Sequence, residues 1–218
     1  MTLAPAEAAG LITREVRNGV RGGAPTKIAV ARRTYPTDRA DLWDAVTNPE
    51  RIPRWFLPVT GDLRVGGRYQ LEGNAGGTVE RCDAPSSFTA TWEMGPGVSW
   101  LTVTLTPAPD GTTFELAHEA PVDPGFWAEY GPGAVGVGWD LGLLGLGLHV
   151  ESGEAVDPEE GLAYATTPEG RGYIARSSQG WAQAAVAAGD APDAARAAAA
   201  NAFTFFTGAP ADDAPHDA

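Results

Sequence analysis

Between residues 61 and 119 the chain breaks into six strand-sized pieces, GDLRV, RYQLEG, TVERCD, FTATWEM, VSWLTVTLTP and TTFELAHE. They are joined by Gly66-Gly67 and by the short turn-forming clusters NAGG, APSS, GPG and APDG. Joins this short leave no room for crossover connections, so the pieces must pair as an antiparallel meander. A strand sends successive side chains to opposite faces. Phe88, Ala90 and Trp92, then Leu101, Val103 and Leu105, then Phe114, Leu116 and His118 each share one phase. Trp100 is out of phase. Threonine, glutamate and small residues occupy the opposite phase. A sheet with one apolar face requires a cover.

The stretch GPGAVGVGWDLGLLGLGLHV, residues 131–150, supplies it. Trp139, Leu143, Leu146 and Val150 recur at helical spacing and form one apolar stripe. Gly138, Gly142, Gly145 and His149 form a second. Each helical glycine costs about 0.5–1 kcal/mol relative to alanine, so something must approach this helix closely, either a strand or a bound molecule. Two rival readings fail. Gly131, Gly133 and Gly136 fit G-x-G-x-x-G, but a dinucleotide loop needs a buried strand before it and another after its helix. Upstream, Pro121, Pro124 and Pro132 make a loop instead, and the downstream segment ESGEAVDPEEG is acidic and turn-like. A membrane helix needs about 20 mostly apolar residues, whereas the uncharged apolar run from Leu141 to Val150 is shorter and follows Asp140.

Ahead of the meander, TKIAVARRTY (26–35) reads as a strand. Thr37 or Asp38 can cap a helix running through Thr47 with Leu42, Ala45 and Val46 inward, and Pro49 and Pro53 break it before a short helix ending at Trp55-Phe56. Residues 1–25 form either an N-terminal arm or an extra edge strand turning at Asn18-Gly19. Residues 151–167 are an acidic connector. Two further helices follow, one from Pro168 to Gly189 with Ile174, Ser178, Trp181 and Ala185 on one stripe, and one from a capping Asp193 to Gly208. This pair is expected to pack beside the sheet, either lidding its cavity or making a homodimer contact. The last ten residues, 209–218, are expected to be disordered.

Net charge and residue counts narrow the partners. A formal charge of -13 over 218 residues argues against nucleic acid as a partner. One cysteine excludes an internal disulfide, and with three scattered histidines it leaves no metal-ligand cluster. The N-terminus shows no export signal, so the cytoplasm is the default location. No cofactor motif, G-x-S-x-G elbow or H-E-x-x-H helix is present.

A strand, two short helices, a six-stranded meander and a long helix make the α+β helix-grip arrangement, a curved antiparallel sheet around a long C-terminal helix, here with an extra C-terminal helical pair. In this order the residues resemble the START-like SRPBCC superfamily, and within it bacterial proteins similar to the C-terminal domain of the activator of Hsp90 ATPase. The resemblance rests on Leu42-Trp43-Asp44-Ala45-Val46-Thr47-Asn48-Pro49 with Trp55-Phe56; Gly61 to Tyr69; Gly77-Thr78-Val79-Glu80; Thr91-Trp92; Gly111-Thr112 with Leu116 and His118; and Gly138-Trp139. It places the domain at residues 26–150 and the helical extension at 151–208.

The resemblance implies a cavity between sheet and long helix that holds a small hydrophobic or aromatic molecule. At matching places stand Trp55, Phe56, Tyr69, Trp92, Leu116, His118, Trp139 and Leu143, an aromatic wall with few polar handles. A closed core filled by the same side chains is the competing expectation. Enzymes of the polyketide cyclase or aromatase kind are an alternative that needs inward acid–base groups. Glu72, Glu80, Arg81 and His118 are the candidates, no pair stands out, and no catalytic residue is assigned. An Hsp90 co-chaperone-like role is implied by the family name alone.

Overall fold

The structure is a computed structural model and describes residues 5–210. The chain opens with a short helix, Pro5–Gly10 (α1), and a hairpin of long strands, Thr13–Arg21 (β1) and Ala24–Tyr35 (β2). The expected edge strand is therefore present, but its turn is not at Asn18-Gly19. Those two residues lie inside the ladder, opposite Lys27 and Thr26. The chain reverses instead at Gly22 and Gly23, with φ of 59° and 86°. A tight hairpin turn matched to strand twist needs positive φ at both central residues, and consecutive glycines adopt it without strain.

Asp38 caps the helix Arg39–Thr47 (α2) by accepting from the Asp41 backbone N–H, and Leu42, Ala45 and Val46 are buried. A 3₁₀ turn, Ile52–Arg54, then leads to Trp55 and Phe56. Six strands follow, Val59–Gly61 (β3), Arg68–Leu71 (β4), Gly76–Asp83 (β5), Ser87–Met94 (β6), Gly97–Ala108 (β7) and Gly111–Pro121 (β8). The first of them ends where the sequence reading had it begin. Asp62 accepts from the backbone and guanidinium of Arg64, which turns residues 62–64 into a loop.

All eight strands form one antiparallel sheet in the order β1-β2-β8-β7-β6-β5-β4-β3. Register aligns the apolar phases across strands, with Phe88 opposite Val103, Val103 opposite Leu116, and Leu101 between Ala90 and His118. Trp100 falls on the other face, where the Arg21 guanidinium lies 4.3 Å from its ring centroid.

Residues 124–130, read as loop, form a helix, Pro124–Tyr130 (α3). Asp123 accepts from the Phe126 N–H and Pro124 sits in the first turn, where its missing N–H costs nothing. The covering helix is Gly133–Ser152 (α4), followed by Pro158–Tyr164 (α5), Pro168–Ala187 (α6) and Pro192–Thr207 (α7). The acidic connector thus contains a short helix. Asp193 is not the α7 cap: Ala191 holds that place without a side-chain bond, Pro192 opens the helix, and Asp193 pairs with Arg196. Gly208 ends α7 in the left-handed conformation. Of the tail expected from residue 209, Ala209 is buried and residues 211–218 lie outside the described residues.

Among the described residues α4 is the one helix long and apolar enough to cross a membrane. Here it is the core helix. Val137, Leu143 and Leu146 are buried, and the helix packs on β2, α2 and α6. Its glycines mark close approaches. A Cβ on Gly136 would lie 2.2 Å from the Trp181 indole, on Gly145 2.6 Å from the Trp55 carbonyl oxygen, and on Gly147 2.4 Å from the Arg33 guanidinium. The G-x-G-x-x-G spacing therefore serves packing. Gly131 ends α3 at positive φ, and Gly133 and Gly136 admit Ala202 and Trp181. Close packing accounts for the glycines at positions 136, 145 and 147.

A polar seam fastens α4 to both chain ends. Asp140 is fully buried, and one of its carboxylate oxygens accepts from Arg14 Nε at 2.7 Å, Trp181 Nε1 at 3.1 Å and the Ser177 hydroxyl. The Tyr173 hydroxyl donates to the Asp140 carbonyl at 2.6 Å. Across the helix, Arg33 and Tyr35 of β2 both donate to the Leu143 carbonyl, at 3.0 and 2.9 Å.

Candidate functional site

The sheet's concave face and α4 do not meet everywhere. A cavity of about 120 Å³ remains between them, bounded by β3, β4 and β6 to β8, by the end of α2 and the segment after it, and by the middle of α4. Sequence alternation places its floor, since Leu101, Val103, Phe114 and Leu116 project from β7 and β8 and are all buried. Trp139, Gly142 and Leu143 form its roof. Trp55 and Phe56 close one side because the chain that carries them is pinned to α2 and to the segment at and after the end of α4. The Trp55 indole donates to the Ala45 carbonyl at 2.9 Å, Arg54 reaches the Gly153 carbonyl at 2.6 Å, and the Arg54 carbonyl accepts from the Val156 N–H. Arg51 anchors the same segment through Asp41, Asp44 and the Nε2 of His149.

Seven of the eight residues picked from the sequence line this cavity: Trp55, Phe56, Tyr69, Trp92, Leu116, Trp139 and Leu143. Their rings form a continuous series. Trp55 stacks on Phe56 at 5.4 Å, Phe56 on Trp139 at 6.0 Å, and Trp139 tilts against Trp92 at 4.9 Å. His118 stands behind the wall, in edge contact with Trp139 and Trp92. Val46, expected only to face inward from α2, also lines the space, as do Ile52, Val59, Leu63 and Leu71, which were not singled out. Val59 and Leu63 lie in a short strand and a loop, where no periodicity marks an inward position. Glu72, Glu80 and Arg81 are exposed and leave no acid–base pair at the wall.

The hydrogen-bond chain around His118 fixes its protonation. An indole nitrogen only donates, so Nδ1 must accept from Trp139 Nε1 at 3.0 Å. The hydrogen then sits on Nε2, which donates to the Ser99 hydroxyl at 2.7 Å, and Ser99 donates to the Trp92 carbonyl at 3.1 Å. Both ring nitrogens are occupied by a neutral imidazole, and burial pushes its pKa down to about 4. Unfolded histidine takes its proton near 6.5. Between these values the unfolded chain binds more protons, so stability falls as the pH drops. From pH 7 to pH 5 the loss expected from this group is about 2 kcal/mol. Urea unfolding of the wild type and of His118→Gln at both pH values checks it. A pH slope of equal size in the variant would assign the effect to carboxylates instead.

No residue of α6 or α7 lines the cavity among the described residues. The helical pair packs on the far side of α4 and so does not lid it. A second hollow, a groove of about 650 Å³ between α6 and α7, is floored by alanines with Gln179, Gln183 and Arg196 along its edge.

The comparisons bear on the same part of the chain. Residues 36–143, from the start of α2 to the middle of α4, match the family model described as activator of Hsp90 ATPase homolog 1-like protein. The crystal structure of CalU16 from Micromonospora echinospora is 29% identical, with 79% of this chain and 97% of CalU16 covered and a TM-score of 0.61. Its solution structure gives a TM-score of 0.67 over 81% of this chain and 96% of CalU16. DynU16, from the dynemicin biosynthetic locus, is 21% identical over 59% of this chain and 48% of its own, with a TM-score of 0.52, a likeness of fold alone. No curated protein matches the sequence. With the helix-grip architecture and the matched segment in agreement, this chain carries a domain of the activator of Hsp90 ATPase homolog 1-like family, within the SRPBCC superfamily.

Proposed function

We propose that this protein holds a small hydrophobic or aromatic molecule between its concave sheet and α4, as a carrier, a sequestering protein or a sensor. The observation that supports this most is the wall of the 120 Å³ space, built of aliphatic and aromatic side chains and Gly142. The polar atoms among the lining side chains are the Tyr69 hydroxyl and three indole nitrogens, and an apolar cavity of about 150 Å³ is enough to accept benzene. The family's fold is compatible with many activities, so the reading stands on this wall. A cyclase-like alternative calls for an acid–base group free to reach a substrate, and His118 is engaged on both nitrogens. The co-chaperone alternative draws on the family description alone.

Native mass spectrometry of protein purified from its own host tests the proposal, with a co-purifying hydrophobic compound as the expected result. Gly142→Leu supplies the control. A Cβ at this position would lie 3.3 Å from the Phe56 ring, a contact relieved by a few tenths of an ångström, and the rest of the side chain would enter the cavity. The variant is expected to fold and to lose the compound. Retention of the compound at wild-type stoichiometry would place it elsewhere, and its absence from the wild type would remove the carrier reading.

A further inference from the structure

We infer that the groove between α6 and α7 is a second binding site, which takes a free apolar molecule carrying one carboxylate, a fatty acid by chemical class. The inference does not depend on the sheet cavity. The groove holds about 650 Å³ against about 120 Å³ beneath α4, a size ordinary for small-molecule sites. Its lining is mostly apolar with a few polar groups, as in such sites. Ala175, Ala182, Ala195 and Ala199 leave the facing sides of the two helices bare, and Val186 and Phe203 add larger apolar surface. Alanines alone would indicate helix packing and nothing more.

Ser178 is the observation that points to a ligand. It lines the groove, is 3% exposed, and its hydroxyl oxygen has no hydrogen-bond partner. A helical hydroxyl can satisfy itself on the carbonyl four residues back. Thr47, Ser152 and Thr207 do so, on Trp43, Leu148 and Phe203. Ser178 does not, and a buried hydroxyl left unpaired is costly enough that a bound group able to pair with it gains affinity. The amides of Gln179, beside it, and of Gln183, one turn on, also form no hydrogen bond among the described residues. On the other wall Arg196 is the one charged residue among those that line the groove. It contacts Asp193 through one nitrogen, and a guanidinium has five donors. A carboxylate accepts from several donors at once, so hydroxyl and amide donors on one wall and a cation on the other suit it. The chain as a whole carries a charge of -13, which favours cationic amphiphiles. A preference for the anion must therefore come from the groove itself.

Decanoate and decyltrimethylammonium, with nearly the same tail and heads of opposite sign, test this by calorimetry on the whole chain. Decanoate is expected to bind at least about tenfold more tightly. It is expected to shift backbone amide resonances of α6 and α7 and to leave the indole N–H resonances of Trp55, Trp92 and Trp139 in place. Ser178→Ala is expected to weaken decanoate about tenfold, and Arg196→Gln, at an exposed position, about fivefold. Ala182→Trp fills the groove from a half-buried position and is expected to abolish binding. If it does not fold, the other two variants carry the test. Failure of decanoate to bind, equal or tighter binding of the cation, or unchanged affinity in both Ser178→Ala and Arg196→Gln would overturn the inference. Shifts confined to the three indoles would move decanoate to the sheet cavity, overturning the inference and leaving the carrier reading intact. A dimer in sedimentation velocity that Ala182→Trp dissociates would give the groove to a second copy of the chain and overturn it too.

Discussion

Asp140→Ala is expected to lower the free energy of unfolding by about 3–5 kcal/mol, the range for removing one member of a buried ion pair. Asp140 has no exposed surface, and Arg14, which it binds at 2.7 Å, is only 8% exposed at its side chain. Burial raises the Asp140 pKa, and the Arg14 charge opposes that rise. Without the carboxylate the Arg14 guanidinium keeps the Ile12 and Ala9 carbonyls but has no counter-charge. Trp181 and Ser177 lose their acceptor at the same time. The double variant Arg14→Met/Asp140→Leu removes both charges and is expected to recover most of the loss, less what Trp181 and Ser177 forfeit. Urea unfolding of the three proteins measures this. Equal destabilisation of the single and double variants would show that the seam acts through shape and not through charge.

The second large effect is expected at Gly136. Alanine normally favours a helix by up to about 1 kcal/mol over glycine. Here its Cβ would meet Trp181 Cε2 at 2.2 Å and Cδ2 and Nε1 at 2.5 Å. The indole has nowhere to go, since it is 1% exposed and held by Asp140. Gly136→Ala is therefore expected to destabilise by about 3 kcal/mol despite the better helix former, at the upper end of ordinary overpacking costs. Gly153→Ala would not report on the same contact, because that residue has positive φ and open space around it. Thermal unfolding of Gly136→Ala together with near-ultraviolet circular dichroism follows both stability and the Trp181 environment. An unchanged midpoint would mean that α6 can slide away from α4 at little cost.

Alternation makes the sheet legible in the sequence. The phases of Phe88, Leu101, Val103, Phe114 and Leu116 and the hairpin spacing decide which residues face inward, and the ladder follows them. The start of α2 was equally local, with Thr37 and Asp38 both able to cap it and Asp38 doing so. Less legible were the places where short-range signals compete. At the first hairpin Asn18-Gly19 is a strong turn pair, yet Gly22-Gly23 allow a longer ladder and win. Three prolines suggested a loop around residue 124, although a proline in the first turn suits a helix as well.

Residue types and their period in the sequence determine the helix-grip class, the sheet's apolar face and the covering helix, and the family resemblance points to seven of the residues found around the space beneath it. Class, face and helix depend on neighbours a few positions apart, where side-chain direction follows from backbone geometry. What the glycines of α4 admit, and that His118 is capped on Nδ1 by Trp139, were decided by tertiary structure alone. So was the burial of Asp140 against Arg14, 126 residues away in the chain. Such contacts join side chains whose separation is set by the packing of whole elements, and no local periodicity encodes that distance.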